Sequence, residues 1–396
     1  MTAENNGRCQ ICRSGTLEAI PAYAEFPRAT SDSKPWPAGG QLTVCSHCGA
    51  IQKIPDLRWL EEIASIYRDY DIYQQSAGAE QLIFDSSGQS EPRSRKLVDH
   101  IRRQVQLPAA GRLLDIGCGN GAALRNFARA LPQWTFYGSE LSDATIEPLR
   151  QIPGFAKLFV GSLTEIGERF ELISVIHTLE HVLSPRQTLS QAADLLGSAG
   201  VLFIEVPDIE TSPFDLLVAD HLLHFSRETL RYLLAQAGVR PLSVSNQVLS
   251  KEITALAVRE DCTAEAPPPA HGNRLARNTV AWLAEVFAAL KTIASRGPVG
   301  IFGTAIAGMA LYGAVRDAVP FFVDEDPSRI GRRCDGKPII APADVPRDVP
   351  VFLGFPPATA QRLASRCRPL GMNCVVPPLP PADDDAKSAI VATASI

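Results

Sequence analysis

The sequence predicts an α/β protein whose main domain is built on a parallel β-sheet. Two observations lead to this prediction. Short apolar runs alternate with helical stretches between residues 111 and 260, and a glycine-rich turn lies at the end of the first run, in the segment LLDIGCGNG at 113–121. Strands that alternate with helices form parallel sheets with right-handed crossovers. The predicted strands are Arg112–Ile116, Thr135–Gly138, Lys157–Val160, Leu172–Ile176 and Val201–Val206.

Length, charge and hydropathy indicate the number of domains and the kinds of partner that the protein is expected to have. A chain of 396 residues is too long to fold around a single hydrophobic core, so two or three domains are expected. The net charge is −5 without a run of basic residues, so we expect no nucleic-acid partner. No apolar stretch reaches the roughly 18 residues that span a bilayer, and the first residues, MTAENNGRC, lack signal-peptide features. We therefore expect a cytoplasmic protein with reduced thiols, no membrane association and a monomeric or homodimeric state.

The chain divides into five segments by pattern. The first holds four of the nine cysteines, the second has helical apolar periodicity and the third is the α/β region. The fourth combines a proline-bearing linker with a helix, and the last begins a second α/β unit. In chain order the predicted segments are 1–56, 57–110, 111–260, 261–295 and 296–396. Within the third, Leu242–Ser245 and Ile253–Val258 predict an antiparallel hairpin at the sheet edge.

Four cysteines near the start form two C-x-x-C pairs. Two intervening residues let both thiolates of a pair reach one ion, and four thiolates complete a tetrahedral structural zinc site. The pairs are Cys9 with Cys12 and Cys45 with Cys48. Four unligated cysteines or a redox pair are the alternatives, although no βαβ pattern surrounds either pair. We expect a structural zinc site with no catalytic role.

The segment LLDIGCGNG predicts a ligand site where a strand turns into a helix. Gly117, Gly119 and Gly121 remove side chains where the backbone passes close to a ligand. Asp115 ends the strand and would repel a phosphate, but it suits a cationic or amine-bearing ligand. Glu140 ends the next strand, where a carboxylate can accept both hydroxyls of a ribose.

These residues resemble the Rossmann-like class I methyltransferases that use S-adenosylmethionine. The resemblance implies that the loop 117–121, with Asn120, packs on the methionine part of the cofactor and that Glu140 holds the ribose. It also implies that Ser162 and Leu163 face the adenine. Cys118 lies inside the motif and is expected to be a packing residue.

Histidines supply the candidate catalytic groups. His177 and His181 follow the fourth predicted strand, and His221 and His224 follow the fifth, on the side of the sheet where such folds bind ligands. A base is needed when the methyl acceptor must lose a proton, and histidine suits neutral pH. His177 is assigned to the cofactor pocket. His224 is assigned to the substrate site. The alternative is a structural role, in which His224 covers the start of the helix that follows Ser226.

A closer resemblance is to the zinc-containing C-methyltransferases that act on nucleotide-linked deoxysugars. It rests on the cysteine pairs, the central domain, the C-terminal turn Gly303–Gly308 and the stretch Val218–Ser226, in which Asp220 and His221 match the family's Glu-His. The resemblance implies that His221 removes a proton from carbon next to a keto group, with His181 and Asp220 as further catalytic residues. It places Tyr70, Tyr73 and Ser76 at the substrate.

Departures from that family leave the acceptor open. Val218, Ala219 and Ala307 stand where the family has Tyr, His and Lys. The alternatives are an O- or N-methyltransferase that acts on another small metabolite, and a protein that binds S-adenosylmethionine without catalysis.

Overall fold

The computed structural model describes residues 7–13, 15–70, 82–84, 90–260, 267–268 and 271–380. The chain divides into two compact units, of which the first comprises 1–19, 30–32 and 40–272, and the second comprises 20–29, 33–39 and 273–396. The segment 1–56, predicted as one module, is therefore shared between the units. The remaining predicted boundaries stay predictions.

The strands of the described residues are, in chain order, β1 (Leu17–Ala19), β2 (Arg28–Ala29), β3 (Pro35–Trp36), β4 (Leu42–Cys45), β5 (Ile51–Lys53), β6 (Leu82–Phe84), β7 (Ser90–Pro92), β8 (Arg112–Ile116), β9 (Thr135–Glu140), β10 (Phe155–Val160), β11 (Phe170–Ile176), β12 (Leu196–Pro207), β13 (Leu223–His224), β14 (Val239–Ser245), β15 (Glu252–Arg259), β16 (Gly300–Phe302), β17 (Phe322–Val323), β18 (Arg333–Cys334), β19 (Lys337–Ile340), β20 (Val351–Leu353) and β21 (Cys374–Val375). The α-helices are α1 (Leu57–Arg68), α2 (Arg93–Gln104), α3 (Ala122–Ala130), α4 (Ile146–Arg150), α5 (Pro185–Asp194), α6 (Arg227–Gln236), α7 (His271–Ala294), α8 (Ile306–Val315) and α9 (Pro357–Cys367).

A seven-stranded sheet forms the centre of the first unit, in the order β10-β9-β8-β11-β12-β15-β14. The first five strands in this order are parallel, and β15 is antiparallel to both of its neighbours. All five predicted parallel strands and the predicted edge hairpin are confirmed. Both faces are covered, because Leu97 and Phe127 from α2 and α3 lie in one core while Leu189 and Leu230 from α5 and α6 lie in the other.

A smaller sheet has the order β1-β4-β5-β13. Cys45 ends β4, Cys48 lies in the turn between β4 and β5, and Cys9 and Cys12 precede β1. We call its first three strands, with residues 7–19 and 40–53, the cysteine module. The fourth strand, β13, comes from the distant stretch that holds the candidate catalytic histidines, and it pairs with β5 in antiparallel fashion. The order of strands along the chain did not predict this pairing.

The second unit has a six-stranded sheet in the order β18-β19-β17-β16-β20-β21. Strands β16, β17, β19, β20 and β21 are parallel, so they have the 3-2-1-4-5 order of Rossmann-like sheets. Residues 20–29 and 33–39 join this unit through apolar contacts, among them a stack of Phe26 on Phe287 with ring centroids 5.3 Å apart. The predicted second α/β unit is present.

Within the described part of the chain, no helix combines the length and the apolar character needed to cross a bilayer.

A buried ion pair joins α2 to the central sheet, and breaking it should destabilise the first unit. Arg93 Nη2 lies 2.5 Å from Glu205 Oε2, and the two residues are 9% and 0% exposed. We expect Arg93→Met to lower the free energy of unfolding by about 3–5 kcal/mol, because it leaves a buried carboxylate without its partner. Urea denaturation followed by tryptophan fluorescence measures this loss.

The matched control is Arg240→Met, which breaks an exposed pair with Glu260 and should cost less than about 1 kcal/mol. Equal losses for the two variants would contradict the expectation.

Candidate active site

The glycine-rich turn lies between β8 and α3, as predicted. Gly117, Gly119 and Gly121 have φ values of +72°, +52° and +79°, a region that side chains disfavour. A Cβ on Gly117 would lie 2.1 Å from Thr178 Oγ1, so the turn also has no room for a side chain at this position. The Gly117 amide donates to the Ser139 carbonyl at 2.8 Å, which fixes the turn against the end of β9.

Asp115 is a buried acid beneath this turn. Its Oδ1 accepts a hydrogen bond from Ser174 Oγ at 2.7 Å, across the adjacent strands β8 and β11. Burial raises the pKa of Asp115 to about 7, with a further contribution from the charge of Glu140, although the Ser174 hydrogen bond acts in the opposite direction. A cationic ligand close to Asp115 would stabilise its ionised form.

Glu140 ends β9 and faces the turn from the other side. Its Oε1 accepts a hydrogen bond from the Gly119 amide at 2.6 Å, and its Oε2 accepts one from the Leu141 amide at 3.2 Å. Leu141 is 82% exposed beside this acid, although it is a large apolar residue. The sequence analysis missed Leu141, because a single apolar residue after a strand carries no periodic signal.

Three further residues of the predicted cofactor site are Ser162 and Leu163, which follow β10, and Asn120, which lies within the turn together with Cys118. Ser162 Oγ accepts a hydrogen bond from the Thr164 amide at 3.3 Å and so caps a short 3₁₀ helix, while Leu163 is buried in the core. Cys118 is 6% exposed, and burial raises the pKa of its thiol. A Cβ on Gly138 would lie 2.5 Å from the Cys118 sulfur, which agrees with the expected packing role. Asn120 Oδ1 accepts from the Ala122 amide at 3.2 Å, at the start of α3.

His177 follows β11 and is held between two acids. Its Nδ1 lies 3.1 Å from Glu180 Oε1 and its Nε2 lies 3.5 Å from Glu252 Oε2. Its backbone has a φ of +47°, which is uncommon outside glycine. Burial and Arg93 lower the pKa of His177, but Glu252 and Glu180 outweigh them and raise it to about 9.

The acids around His177 form a network that the sequence analysis missed. His177, Glu205 and Glu252 present ligand atoms within 4.8 Å of one another. Arg93 pairs with Glu205, and the pKa of His177 favours an imidazolium, so two cationic side chains lie against these carboxylates. The signal was available, because Glu205 interrupts an otherwise apolar strand.

His181 lies beside Asp220 and Tyr67. Its Nδ1 is 3.5 Å from Asp220 Oδ2 and 3.1 Å from the Tyr67 hydroxyl. Burial and the charge of His221 lower its pKa, against the opposing effects of Asp220 and Glu180. His181 therefore favours the neutral form.

Asp220 is anchored from the N-terminal part of the first unit. The Ser31 amide donates to Asp220 Oδ1 at 2.8 Å and the Ser31 hydroxyl donates to Oδ2 at 2.5 Å. The same hydroxyl lies 3.3 Å from the hydroxyl of Tyr70, one of the predicted substrate residues. The other two, Tyr73 and Ser76, lie outside the described residues.

His221 and His224 share one carboxylate. Asp215 Oδ1 lies 2.8 Å from His221 Nδ1, and Asp215 Oδ2 lies 2.6 Å from His224 Nδ1. The ring of His221 also faces the ring of His181 edge-on, with centroids 4.7 Å apart. The structure thus brings the candidate base His221 together with His181 and Asp220, and it adds Asp215, which the sequence analysis missed.

The environments of the two imidazoles differ. Burial lowers the pKa of His221, but Asp215, Glu180 and Asp220 outweigh it and raise the pKa. Burial lowers the pKa of His224 to about 4, with Lys53 and His221 adding to this effect and Asp215 opposing it. His224 is buried behind His221, and the helix start at Ser226 is capped by Ser226 and Thr229 instead.

The four N-terminal cysteines converge. Cys9 Sγ lies 3.5 Å from Cys48 Sγ, Cys12 Sγ lies 3.6 Å from Cys45 Sγ, and all four sulfurs lie within 4.8 Å of one another. The edge of a tetrahedron with metal–sulfur bonds of about 2.3 Å is about 3.8 Å. The four thiols therefore fit one tetrahedral metal ion.

Comparison with known families identifies the central domain. Residues 90–244 match the family model described as "Methyltransferase domain". The chain contains a class I methyltransferase domain. This match agrees with the methyltransferase that the sequence predicts. No curated protein matches the chain.

Solved structures with a similar fold include three methyltransferases of low sequence identity. One is an S-adenosylmethionine-dependent methyltransferase from Clostridium acetobutylicum, with 14% identity over 51% of this chain and 99% of that one, at a TM-score of 0.36. Another is the mitomycin 7-O-methyltransferase MmcR, with 16% identity over 51% of this chain and 67% of that one, at 0.37. The third is the calicheamicin-biosynthesis methyltransferase CalO1, with 15% identity over 40% of this chain and 51% of that one, at 0.34.

The proton on His177 should make the stability of the first unit depend on pH. The pKa of His177 is about 9 in the folded protein and about 6.5 in an unfolded chain. Its contribution to the free energy of unfolding is therefore present in full below about pH 6.5 and is lost as the pH rises towards 9. Glu252 acts in the same direction, because burial raises its pKa to about 7.

We expect His177→Asn to flatten this decline, since asparagine tolerates a positive φ and carries no titratable proton. Urea denaturation at several pH values between 6 and 9 measures the effect. The control His100→Asn should keep the decline of the wild type. An unchanged slope in His177→Asn would show that His177 is not held in its charged form.

Proposed function

We propose that the chain methylates carbon of a nucleotide-linked sugar or a similar activated carbohydrate, with His221 as the base. The observation that carries the proposal is the environment of His221. Its Nδ1 is hydrogen-bonded to Asp215 Oδ1 at 2.8 Å, and its ring faces the ring of His181 edge-on. A carboxylate on Nδ1 fixes the tautomer and leaves Nε2 to take a proton.

The residues of the cofactor turn support this proposal. S-adenosylmethionine, when bound, supplies an electrophilic methyl group. The side-chain-free turn at Gly117–Gly121 fits its methionine part, Asp115 favours its positive charge, and Glu140 can accept bonds from its ribose hydroxyls. The exposed Leu141 can offer an apolar surface to the adenine, and Ser162 and Leu163 are the other residues assigned to it.

The second part of the proposed mechanism is the removal of a proton from the acceptor. His221 takes this proton on Nε2, and the resulting imidazolium is stabilised by Asp215, Glu180 and Asp220. His181, which favours the neutral form, can accept or return a proton on the same side. Tyr70 and, outside the described residues, Tyr73 and Ser76 would contact the acceptor.

O-methylation of a small metabolite is the second candidate, and the character of two residues favours it. Val218 and Ala219 are buried apolar residues at 2% and 0% exposure, so neither of these two positions supplies a proton-handling side chain. A hydroxyl loses its proton more readily than carbon does, and one neutral histidine suffices as its base.

We expect His221→Ala to lower kcat by about 100-fold or more, because a positioned general base contributes at least this much. The assay uses ¹³C-methyl-labelled S-adenosylmethionine with a panel of nucleotide sugars, and NMR of the product distinguishes a new C–CH₃ from an O–CH₃ or N–CH₃. Calorimetry with S-adenosylmethionine should give the same affinity for the variant and the wild type.

The control variant His100→Ala should keep full activity. Nearly full activity in His221→Ala would exclude His221 as the base, an O–CH₃ product would favour the second candidate, and binding without turnover on any acceptor would indicate a non-catalytic protein.

We also propose that the four converging cysteines hold one structural zinc ion. Elemental analysis of freshly purified, reduced protein should give about one zinc per chain. Cys45→Ser should lose it, whereas the control Cys334→Ser, which changes a buried cysteine of the second unit, should keep it. Wild-type protein without zinc would exclude the proposed site.

A further inference from the structure

The loop that carries His221 is held by the cysteine module through main-chain bonds. Strand β13, which contains His224, pairs with β5, and the Lys53 amide donates to the Leu222 carbonyl at 2.8 Å. The residues that directly follow His221 are therefore attached to the last strand of the module.

The side chain of Lys53 holds the other end of the same loop. Lys53 is 0% exposed, and its ammonium donates to the Val218 carbonyl and, at 3.3 Å, to the Ala219 carbonyl. Trp59 Nε1 also donates to the Ala219 carbonyl, at 3.3 Å. A buried ammonium is costly unless it is hydrogen-bonded, and the Lys53 ammonium finds its acceptors in the main chain of the His221 loop.

The charge of Lys53 acts unequally on the two imidazoles that share Asp215. One carboxylate can balance one imidazolium, so the proton that Asp215 attracts must favour one of the two rings. His224 has Lys53 as an additional charged neighbour, and this charge lowers its pKa. His221 has two additional acids, Glu180 and Asp220, which raise its pKa, and His181 as its other titratable neighbour.

We propose that Lys53 is a positioning residue that holds the His221 loop on the cysteine module and directs the proton attracted by Asp215 to His221, leaving His224 neutral. The catalytic meaning of this arrangement rests on the proposed function, since it makes His221 the more basic of the two rings. His221 then acts as the base from its neutral form, at a pH above its own pKa. The arrangement itself does not depend on the identity of the acceptor.

Long-range ¹H–¹⁵N NMR spectra of the full-length, ¹⁵N-labelled protein can test this directly. The chain has seven histidines, which His→Asn variants assign. At about pH 6.5, where an unperturbed histidine is half protonated, wild-type His221 should be charged and His224 should be neutral with its proton on Nδ1. In Lys53→Met, the charged fraction should fall for His221 and rise for His224.

Two further variants separate charge from packing. Lys53→Arg keeps the charge and should keep the wild-type pattern, and the control Lys291→Met, which changes an exposed lysine of the second unit, should keep it as well. Once an acceptor is known, Lys53→Met should lower kcat by about 10-fold or more and leave the KM for S-adenosylmethionine unchanged.

The proposal is overturned if Lys53→Met folds with its zinc content intact and shows wild-type charge on both rings. If Lys53→Met does not fold, the wild-type spectrum decides, because a charged His224 beside a neutral His221 overturns the proposal by itself. Neither spectrum involves a methyl acceptor, so a failure of the proposed reaction leaves this test unaffected.

Discussion

The carboxylate of Asp215 is hydrogen-bonded to two imidazoles, those of His221 and His224, within a stretch of ten residues. The local structure around His221 depends on these two hydrogen bonds. A buried carboxylate is costly without partners, and a buried imidazole is costly in its charged form. Each group therefore offsets part of the cost of the other. The same bonds orient His221 towards His181, so stability and chemistry are linked in one cluster.

A second set of carboxylates lies at the ends of β11, β12 and β15, with His177 and Arg93 as the balancing cations. Here the acids outnumber the cations, and burial raises the pKa of Glu252 accordingly. The left-handed backbone of His177 places its ring between Glu180 and Glu252. Strained backbone at a charged, buried position is typical of functional sites, because the surrounding contacts must hold it there.

Much of the fold could be predicted because its signals are local. The five parallel strands read as apolar runs, since both faces of the sheet are covered, and the turn at Gly117–Gly121 follows from the need for a positive φ. The convergence of the four cysteines followed from their spacing in pairs. Asp215 was not predicted, because a single acid in a loop has no periodic context that distinguishes it.

Other features of the site could not be predicted because they depend on contacts between distant parts of the chain. Ser31 meets Asp220 across 189 positions, and Lys53 meets Val218 across 165. A lysine at the end of a short, mostly polar strand is expected to be exposed to solvent, and only the tertiary structure shows that Lys53 is fully buried. Long-range polar bonds of this kind leave no pattern in a single sequence.

The two units also alternate along the chain, since residues 20–29 and 33–39 belong to the second unit while residues 30–32 belong to the first. An uninterrupted fragment that contains the whole first unit, including the Ser31 contact to Asp220, consequently also carries two segments of the second unit. During synthesis on the ribosome, residues 20–29 and 33–39 leave the exit tunnel more than two hundred residues before the main part of their own unit, 273–396. The second unit can complete its folding only after nearly the whole chain has been translated.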